Sequence, residues 1–422
     1  MTSSLHVPKG TRDLTGREVQ AFAALEQVAR RVFGLFHFEE IRTPIFETVD
    51  LFSRSLGETS DVVEKEMFTF VDRGERTFAL RPEGTAGVVR HFIENNLAVQ
   101  GDSHRLFYMG PMFRAERPQA GRYRQFFQIG SEHFGSPEPA ADADTVLMMS
   151  RIFEEFGVGE FQIHVNSLGC QTCRPKHRAA LLAYLKKRES ELTEESRRRM
   201  EVNPLRVLDS KVDGPKLTDA PAMKDFLCSD CAAHFDLFLG LVQKETSRVE
   251  INPRLVRGLD YYTRTVFEFV SPLLGAQSAL AAGGRYDDLV GMLGGPSVPA
   301  VGFALGADRV VEAHLKWRGE ADKAVSNQTM AVVVAMTEES VPAAFGLAQK
   351  LRLAGFSVPP LLPAKKKLKN QLSAAVDAGA KWVILIGEDE LKTGELSVKD
   401  LSTRTQTKVP QQKIISYLTG TP

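Results

Sequence analysis

Residues 106–135, LFYMGPMFRAERPQAGRYRQFFQIGSEHFG, decide how this chain reads. Residues 106–112 are apolar and aromatic and predict a strand. Between 114 and 124 stand four arginines, Arg114, Arg117, Arg122 and Arg124, against one acid, Glu116. Pro118 and Gly121 mark that stretch as a loop. Residues 123–129 are strand-like again. Successive strand side chains point to opposite faces, so Gln128, Gly130 and Glu132 share one face. An amide and a carboxylate then flank a position without a side chain, and a small cationic or hydrogen-bonding ligand would sit over Gly130. Arg114, where the first strand runs out, faces the loop. Its planar fork suits phosphate oxygens. The competing reading is a solvated basic hairpin, the usual fate of a charge run.

A chain of 422 residues is too long for one typical domain and suggests two or three. With 43% hydrophobic and 25% charged residues it is of ordinary globular composition. The formal net charge is zero, so only local patches can speak for or against a nucleic-acid partner. No apolar run approaches the ~18 residues that a membrane span needs. The first residues, MTSSLHVPKGTRDL, lack the apolar centre of a signal peptide, which makes a cytoplasmic protein the default. The four cysteines fall in two CxxC pairs, a pattern that fits metal binding better than secreted disulfides.

Working outward, Thr15 and Glu18 resemble a capping box. Val19, Phe22, Leu25, Val28, Val32 and Phe36 then recur at helical spacing, as the core face of a helix. Residues 42–48, RTPIFET, read as an edge strand broken by Pro44. Residues 77–80 form a short strand ending in Arg81-Pro82-Glu83-Gly84-Thr85, a turn able to bring a carboxylate and a hydroxyl to one point. Glu83 would serve equally well at a helix N-terminus. After a strand at 161–165, residues 170–250 turn charged and helical and read as an inserted subdomain, with Arg197, Arg198 and Arg199 on a solvated helix face. Cys170 and Cys173 open it, and Cys228 and Cys231 lie near its end. Four thiolates would suit one tetrahedral zinc. The gap between the pairs is longer than in compact zinc ribbons, and four buried or idle thiols remain the alternative.

Strand-like texture resumes at 251–269, with Arg257, Tyr261 and Tyr262. Taken alone, these are a surface ion pair and core tyrosines with a wet hydroxyl. Residues 281–295 are glycine-rich, which allows close backbone approach but specifies little. The segment from 299 reads as strand, glycine turn and helix, with Arg309 near the helix start. A polar linker over 316–329 marks a domain boundary. Beyond it, strands near 330–336, 356–362, 382–387 and 395–401 alternate with helices, an α/β pattern of parallel-sheet type. One helix carries Lys365, Lys366, Lys367 and Lys369, a run that is either solvated or suited to an RNA backbone.

Four stretches in order, LRPEGT at 80–85, the 106–135 hairpin, RGLDYYTRTVFE at 257–268 and AVGFALGADR at 300–309, resemble the motifs of class II aminoacyl-tRNA synthetases in the form of histidyl-tRNA synthetase. The likeness runs from about Gly10 to the end. It implies a multidomain α+β and α/β fold. A class II antiparallel-sheet catalytic domain would span 1–325, with a helical insertion at about 168–248 that contacts the tRNA acceptor arm. An α/β anticodon-binding domain would follow at 328–422. The implied reaction is ATP-dependent activation of L-histidine to the adenylate, then transfer to tRNA(His), by a cytoplasmic homodimer whose interface includes 42–48. By resemblance, Glu83, Thr85 and Gln128 hold the histidine α-amino group. Glu132 and Tyr262 meet the imidazole, and Tyr261 and Tyr286 line its pocket. Arg114 and Arg257 act on the α-phosphate, while Arg309, Glu116 and Mg²⁺ attend the rest of ATP. Arg117 and Gln119 reach the tRNA acceptor end. Two rivals stand beside this: a non-catalytic histidine-binding regulatory paralogue of ATP phosphoribosyltransferase, and an RNA-binding protein with a dead catalytic fold. The regulatory paralogues usually lack the arginine of 257–268 and the C-terminal domain, and this chain has both.

Overall fold

The computed structural model describes residues 5–57, 62–100, 103–117, 121–208, 210–256, 261–275, 278–319, 330–361 and 368–420. Its centre is the hairpin. His104–Phe113 and Gln125–Phe134 pair antiparallel, with Tyr108 opposite Gly130 and Gly110 opposite Gln128. The second strand begins at Gln125, so Tyr123 lies in the loop instead; its ring packs under the Arg12 guanidinium at 4.3 Å.

Six strands form an antiparallel run in the order 104–113, 125–134, 300–306, 279–285, 263–270 and 162–167. Glu39–Glu40 and Val249–Ile251 add a parallel strand at each edge. Strand alternation sorts the two faces. Phe107 and Ile129 turn to a core roofed by the helices Gly16–Leu35, Pro139–Phe156 and Ala307–Arg318. There the Phe33 ring stacks on Phe107 at 4.3 Å. Tyr108, Met112 and Phe134 turn to the other face, under the helix Thr85–Glu94, where Phe92 stacks on Phe134 at 4.4 Å. The candidate site lies on this second face.

Several expectations need correction. Thr15 is the N-cap of Gly16–Leu35, but its side chain makes no capping hydrogen bond. Glu18 is drawn to Arg12, which also donates to Asp308 at 2.8 Å, so the capping box does not form. Phe22, Leu25 and Val32 are buried as expected, whereas Val19 is 44% exposed. The 42–48 segment yields a strand only at Phe46–Thr48, in a three-stranded sheet with Thr77–Leu80 and Thr69–Val71. The 316–329 linker begins late, because the helix Ala307–Arg318 runs past Lys316 to Arg318; residues 320–329 lie outside the described residues.

The insertion is helical, with a small core of its own around Leu181, Leu185, Met200 and Val207. Arg198 pairs with Glu194, and Arg199 with Glu195 at 2.8 Å, both at i,i+4 spacing, as a solvated face would. Its last helix, Ser229–Glu245, instead buries Phe235, Phe238 and Val242 in the main core.

The chain divides into two compact units, Met1–Asp322 and Lys323–Pro422. The second has a four-stranded sheet in the order 331–335, 382–386, 395–400, 406–410. Only the first pair is parallel; the other two are antiparallel, contrary to the parallel-sheet expectation. A crossover containing the helix Val341–Leu353 separates the parallel strands, while the later connections are too short for a crossover. The stretch after Phe356 contributes only a bridge from Ser357 to Met330. Lys365, Lys366 and Lys367 lie outside the described residues, and Lys369 is exposed. Among the described residues no helix is long and apolar enough to cross a membrane.

Candidate active site

Two hydrogen bonds fix the LRPEGT turn. The buried Glu83 carboxylate accepts from Thr85 N at 2.6 Å and Ala86 N at 2.9 Å, closing the N-terminus of Thr85–Glu94. The helix-terminus reading of Glu83 is thus realised, and it leaves Glu83 and Thr85 buried beside the hairpin. Burial raises the Glu83 carboxyl above its usual range, against the pull of these bonds and of Arg114. Arg114 Nε donates to Pro82 O at 3.1 Å and so ties the turn to the end of the hairpin strand.

Deeper in the sheet, Glu132 is 1% exposed and accepts a hydrogen bond from the Tyr286 hydroxyl. Its place requires a neighbour without a side chain: a Cβ on Gly302, directly opposite, would strike the Glu132 carboxylate. Burial pushes Glu132 up to about 8, so at neutral pH it is mostly protonated. Tyr261 and Tyr262 lie side by side with ring centroids 4.7 Å apart, and Tyr286 meets Tyr261 at 5.7 Å. All three rings are buried.

The space over Gly130 is not open. Tyr108, across the ladder, lays its ring there, and a Cβ on Gly130 would collide with it. The expected gap is filled because the antiparallel register sets Tyr108 directly opposite Gly130. Tyr108 is the site residue that sequence reasoning missed, and the signal was present: an aromatic residue directly opposite a glycine in an antiparallel hairpin. Among the described residues none completes a hydrogen bond to Tyr108 Oη, Gln128 Oε1 or Glu132 Oε1, all three buried. Thr85 lies close enough to Tyr108 and Glu132 to favour their charged forms. Buried polar atoms are seldom left without partners, so this cluster is suited to a small polar guest.

A second cavity, of about 310 Å³, adjoins Gln128 and is lined by Arg114, Glu116, Arg122, Phe126, Glu268 and Arg309. Glu116 pairs with Arg122 at 2.8 Å and lies 3.9 Å from Arg114. Arg309 is held by carbonyls, donating to Ala279 O at 2.9 Å and Gly121 O at 3.3 Å. Burial, then the like charge of Arg122, lowers its pKa. Three guanidinium groups stand beside an aromatic ring; of the three carboxylates there, Asp308 is already taken by Arg12 and Phe127 N, and the arginines suit a nucleotide phosphate chain. Arg117 is exposed, while Arg257 and Gln119 lie outside the described residues. Cys170, Cys173, Cys228 and Cys231 come together, with all four Sγ atoms within 4.8 Å of one another.

The family model described as Histidyl-tRNA synthetase matches residues 10–310, and one described as Anticodon binding domain matches 330–421. The chain belongs to the histidyl-tRNA synthetase family. The histidine–tRNA ligase of Trichlorobacter lovleyi is 46% identical over 403 residues, 95% of this chain and 94% of that protein. That of Geobacter sulfurreducens is 45% identical over 408 residues, 95% and 96% of the two chains. The crystal structure of apo S. aureus histidyl-tRNA synthetase superposes with a TM-score of 0.82 at 31% identity, covering 98% of this chain and 99% of that one. The class II synthetase fold and the C-terminal anticodon-binding α/β domain therefore stand.

Proposed function

We infer that the protein is a histidine–tRNA ligase: it activates L-histidine with ATP and transfers it to tRNA(His). The observation that carries this reading is the buried polar pocket of Tyr108, Gln128, Glu132 and Tyr286, next to an arginine-lined cavity. Histidine presents an imidazole and an ammonium, which match a neutral or charged carboxyl, hydroxyls and an amide. A site built on such bonds leaves them unpaired with the wrong amino acid, which rejects it by about 10⁴-fold or more.

Glu132, with Tyr262 and Tyr286, receives the imidazole; Glu83, Thr85 and Gln128 receive the α-amino group. The histidine carboxylate attacks the α-phosphorus of ATP and pyrophosphate leaves, so no protein nucleophile is needed. The protein stabilises charge on the α-phosphate, through Arg114 and Arg257, as the phosphorus becomes pentavalent. Arg309 takes the outer phosphates. Glu116 and Glu268, two of the three carboxylates beside these arginines, fit the oxygen preference of Mg²⁺, which when bound with ATP would neutralise phosphate charge. Neither chemical step calls on the four thiols, so a zinc ion there would be structural. Arg117 and Gln119, between the two hairpin strands in sequence, would meet the acceptor end of the tRNA.

The same reading makes 1–325 catalytic and 328–422 the anticodon-binding part. It also includes a cytoplasmic homodimer. Phe46 and Phe70 are 50% and 40% exposed in a ring cluster with Phe78 on the three-stranded sheet, apolar surface that a second copy would cover. The test is charging. Radiolabelled histidine with ATP and tRNA(His) should yield acid-precipitable product; binding of histidine without any charging would favour the regulatory reading instead.

A further inference from the structure

We propose that Cys170, Cys173, Cys228 and Cys231 form a closed tetrathiolate zinc site that clasps the two ends of the insertion to the sheet. The proposal stands apart from the catalytic reading. Its geometry is that of a four-coordinate thiolate site. A Zn–S bond of about 2.3 Å puts the sulfurs of a tetrahedral site about 3.8 Å apart. Here Cys170 Sγ lies 3.7 Å from Cys173 Sγ and 3.9 Å from Cys228 Sγ, and no pair in the set exceeds 4.8 Å. A disulfide would need about 2.05 Å.

The backbone is arranged for thiolates. Cys173 N and Arg174 N both donate to Cys170 O, at 3.0 and 3.1 Å, folding the first pair into a tight knuckle. Cys228 N donates to Cys173 Sγ at 3.1 Å, linking the knuckles across 55 residues of sequence. Cys173 is the N-cap of Arg174–Lys187 and Cys228 that of Ser229–Glu245, so two helix N-termini face the cluster and favour negative sulfur. Gly169 sits at φ +63°, and a Cβ there would come within 2.6 Å of Cys173 Cβ. Only glycine lets the chain pass the knuckle so closely. Met223, Phe226 and Leu227 pack around the sulfurs; Cys173 and Cys231 are buried, and Cys170 and Cys228 are half-buried.

The site also answers a structural need. The insertion's own core is small, and few buried side chains seldom hold such a unit alone. A metal joining its first turn to its last helix supplies the missing stabilisation. Its consequence reaches the polar pocket. Gln171, inside the first knuckle, donates to Asp288 at 3.3 Å, two residues beyond Tyr286, and Leu168 packs in the cluster that holds Tyr261 and Tyr262.

Full-length protein purified without chelator from zinc-containing medium tests this. It should carry about one zinc per chain, and its thiols should resist dithionitrobenzoate until the metal is removed. Exchange with Co²⁺ should give the visible absorption of tetrahedral cobalt–thiolate, a signal that needs no variant. The double replacement C170S/C228S, where it folds, should lose the metal. Zinc below roughly one-tenth of an equivalent together with four freely reactive thiols would overturn the proposal. So would two disulfides in the denatured, unreduced chain, or undiminished zinc in the folded double variant.

Discussion

Glu132 is a carboxyl that burial has lifted to about 8, and this sets a pH window for its ligand. The free imidazole titrates near 6.5, so between about 6.5 and 8 acid and imidazole together hold one proton, the number their bonded pair needs. Above pH 8 both partners are bare and binding must take up a proton, so the KM for histidine should rise about tenfold per pH unit. Glu132→Gln should raise that KM far more than the KM for ATP and should flatten the upper limb. Because the ligand's amino group also titrates, the Glu132→Gln profile is the reference, and identical limbs in both proteins would remove Glu132 from imidazole recognition. The same lifted carboxyl favours the fold most below its unfolded value of about 4.5, a contribution lost as pH rises through about 8. Tyr108 gives a second test. Among the described residues its hydroxyl completes no close hydrogen bond, so Tyr108→Phe should leave stability within about 1 kcal/mol while raising the KM for histidine roughly tenfold. Loss of stability without a KM change would make Tyr108 a packing residue only. That Gln128 and Glu132 share a face was legible from strand alternation; their roles rested on the family resemblance. Tyr108 was not legible, since one strand's alternation says nothing about what the neighbouring strand places over its glycines.

Between elements, the glycine-rich stretch 281–295 hides a buried ion pair. Arg285, on the strand Ala279–Arg285, and Asp142, on the helix Pro139–Phe156, are both fully buried and joined at 2.5 and 3.2 Å. Arg285 also donates to Ser136 O at 2.9 Å and Glu138 O at 3.2 Å, pinning the helix start to the sheet beside Tyr286. Arg285→Met should destabilise the fold by about 3–5 kcal/mol, because it strands a buried carboxylate. Adding Asp142→Leu should recover much of that in denaturant melts. Equal losses in the single and double variants would mean that packing, and not charge, decides. Nothing in a run of glycines announces such a partner 143 residues away. The capping box failed for a similar reason: Arg12, folded back from the chain's start, competes for Glu18. Periodicity and motif spacing read contacts along the chain, whereas these depend on what tertiary structure brings alongside.

At the scale of the molecule, the order of four motifs was enough to read the catalytic domain, and family likeness now covers residues 10–310. The C-terminal unit was legible as α/β, but its strand directions were not, because the lengths of its connections decide them. If that unit serves tRNA and not chemistry, a chain ending at Asp322 should keep some histidine-dependent pyrophosphate exchange and lose most charging; undiminished charging would contradict the division. The reaction proposed for the pocket around Glu132 and the arginine cavity is formation of an adenylate from histidine. Exchange of labelled pyrophosphate into ATP by the full-length protein, with each amino acid in turn and no tRNA, tests it most directly. The account predicts exchange with histidine, and about 10⁴-fold less with any other amino acid. Binding of histidine and ATP with no exchange, or exchange that does not depend on histidine, would contradict it.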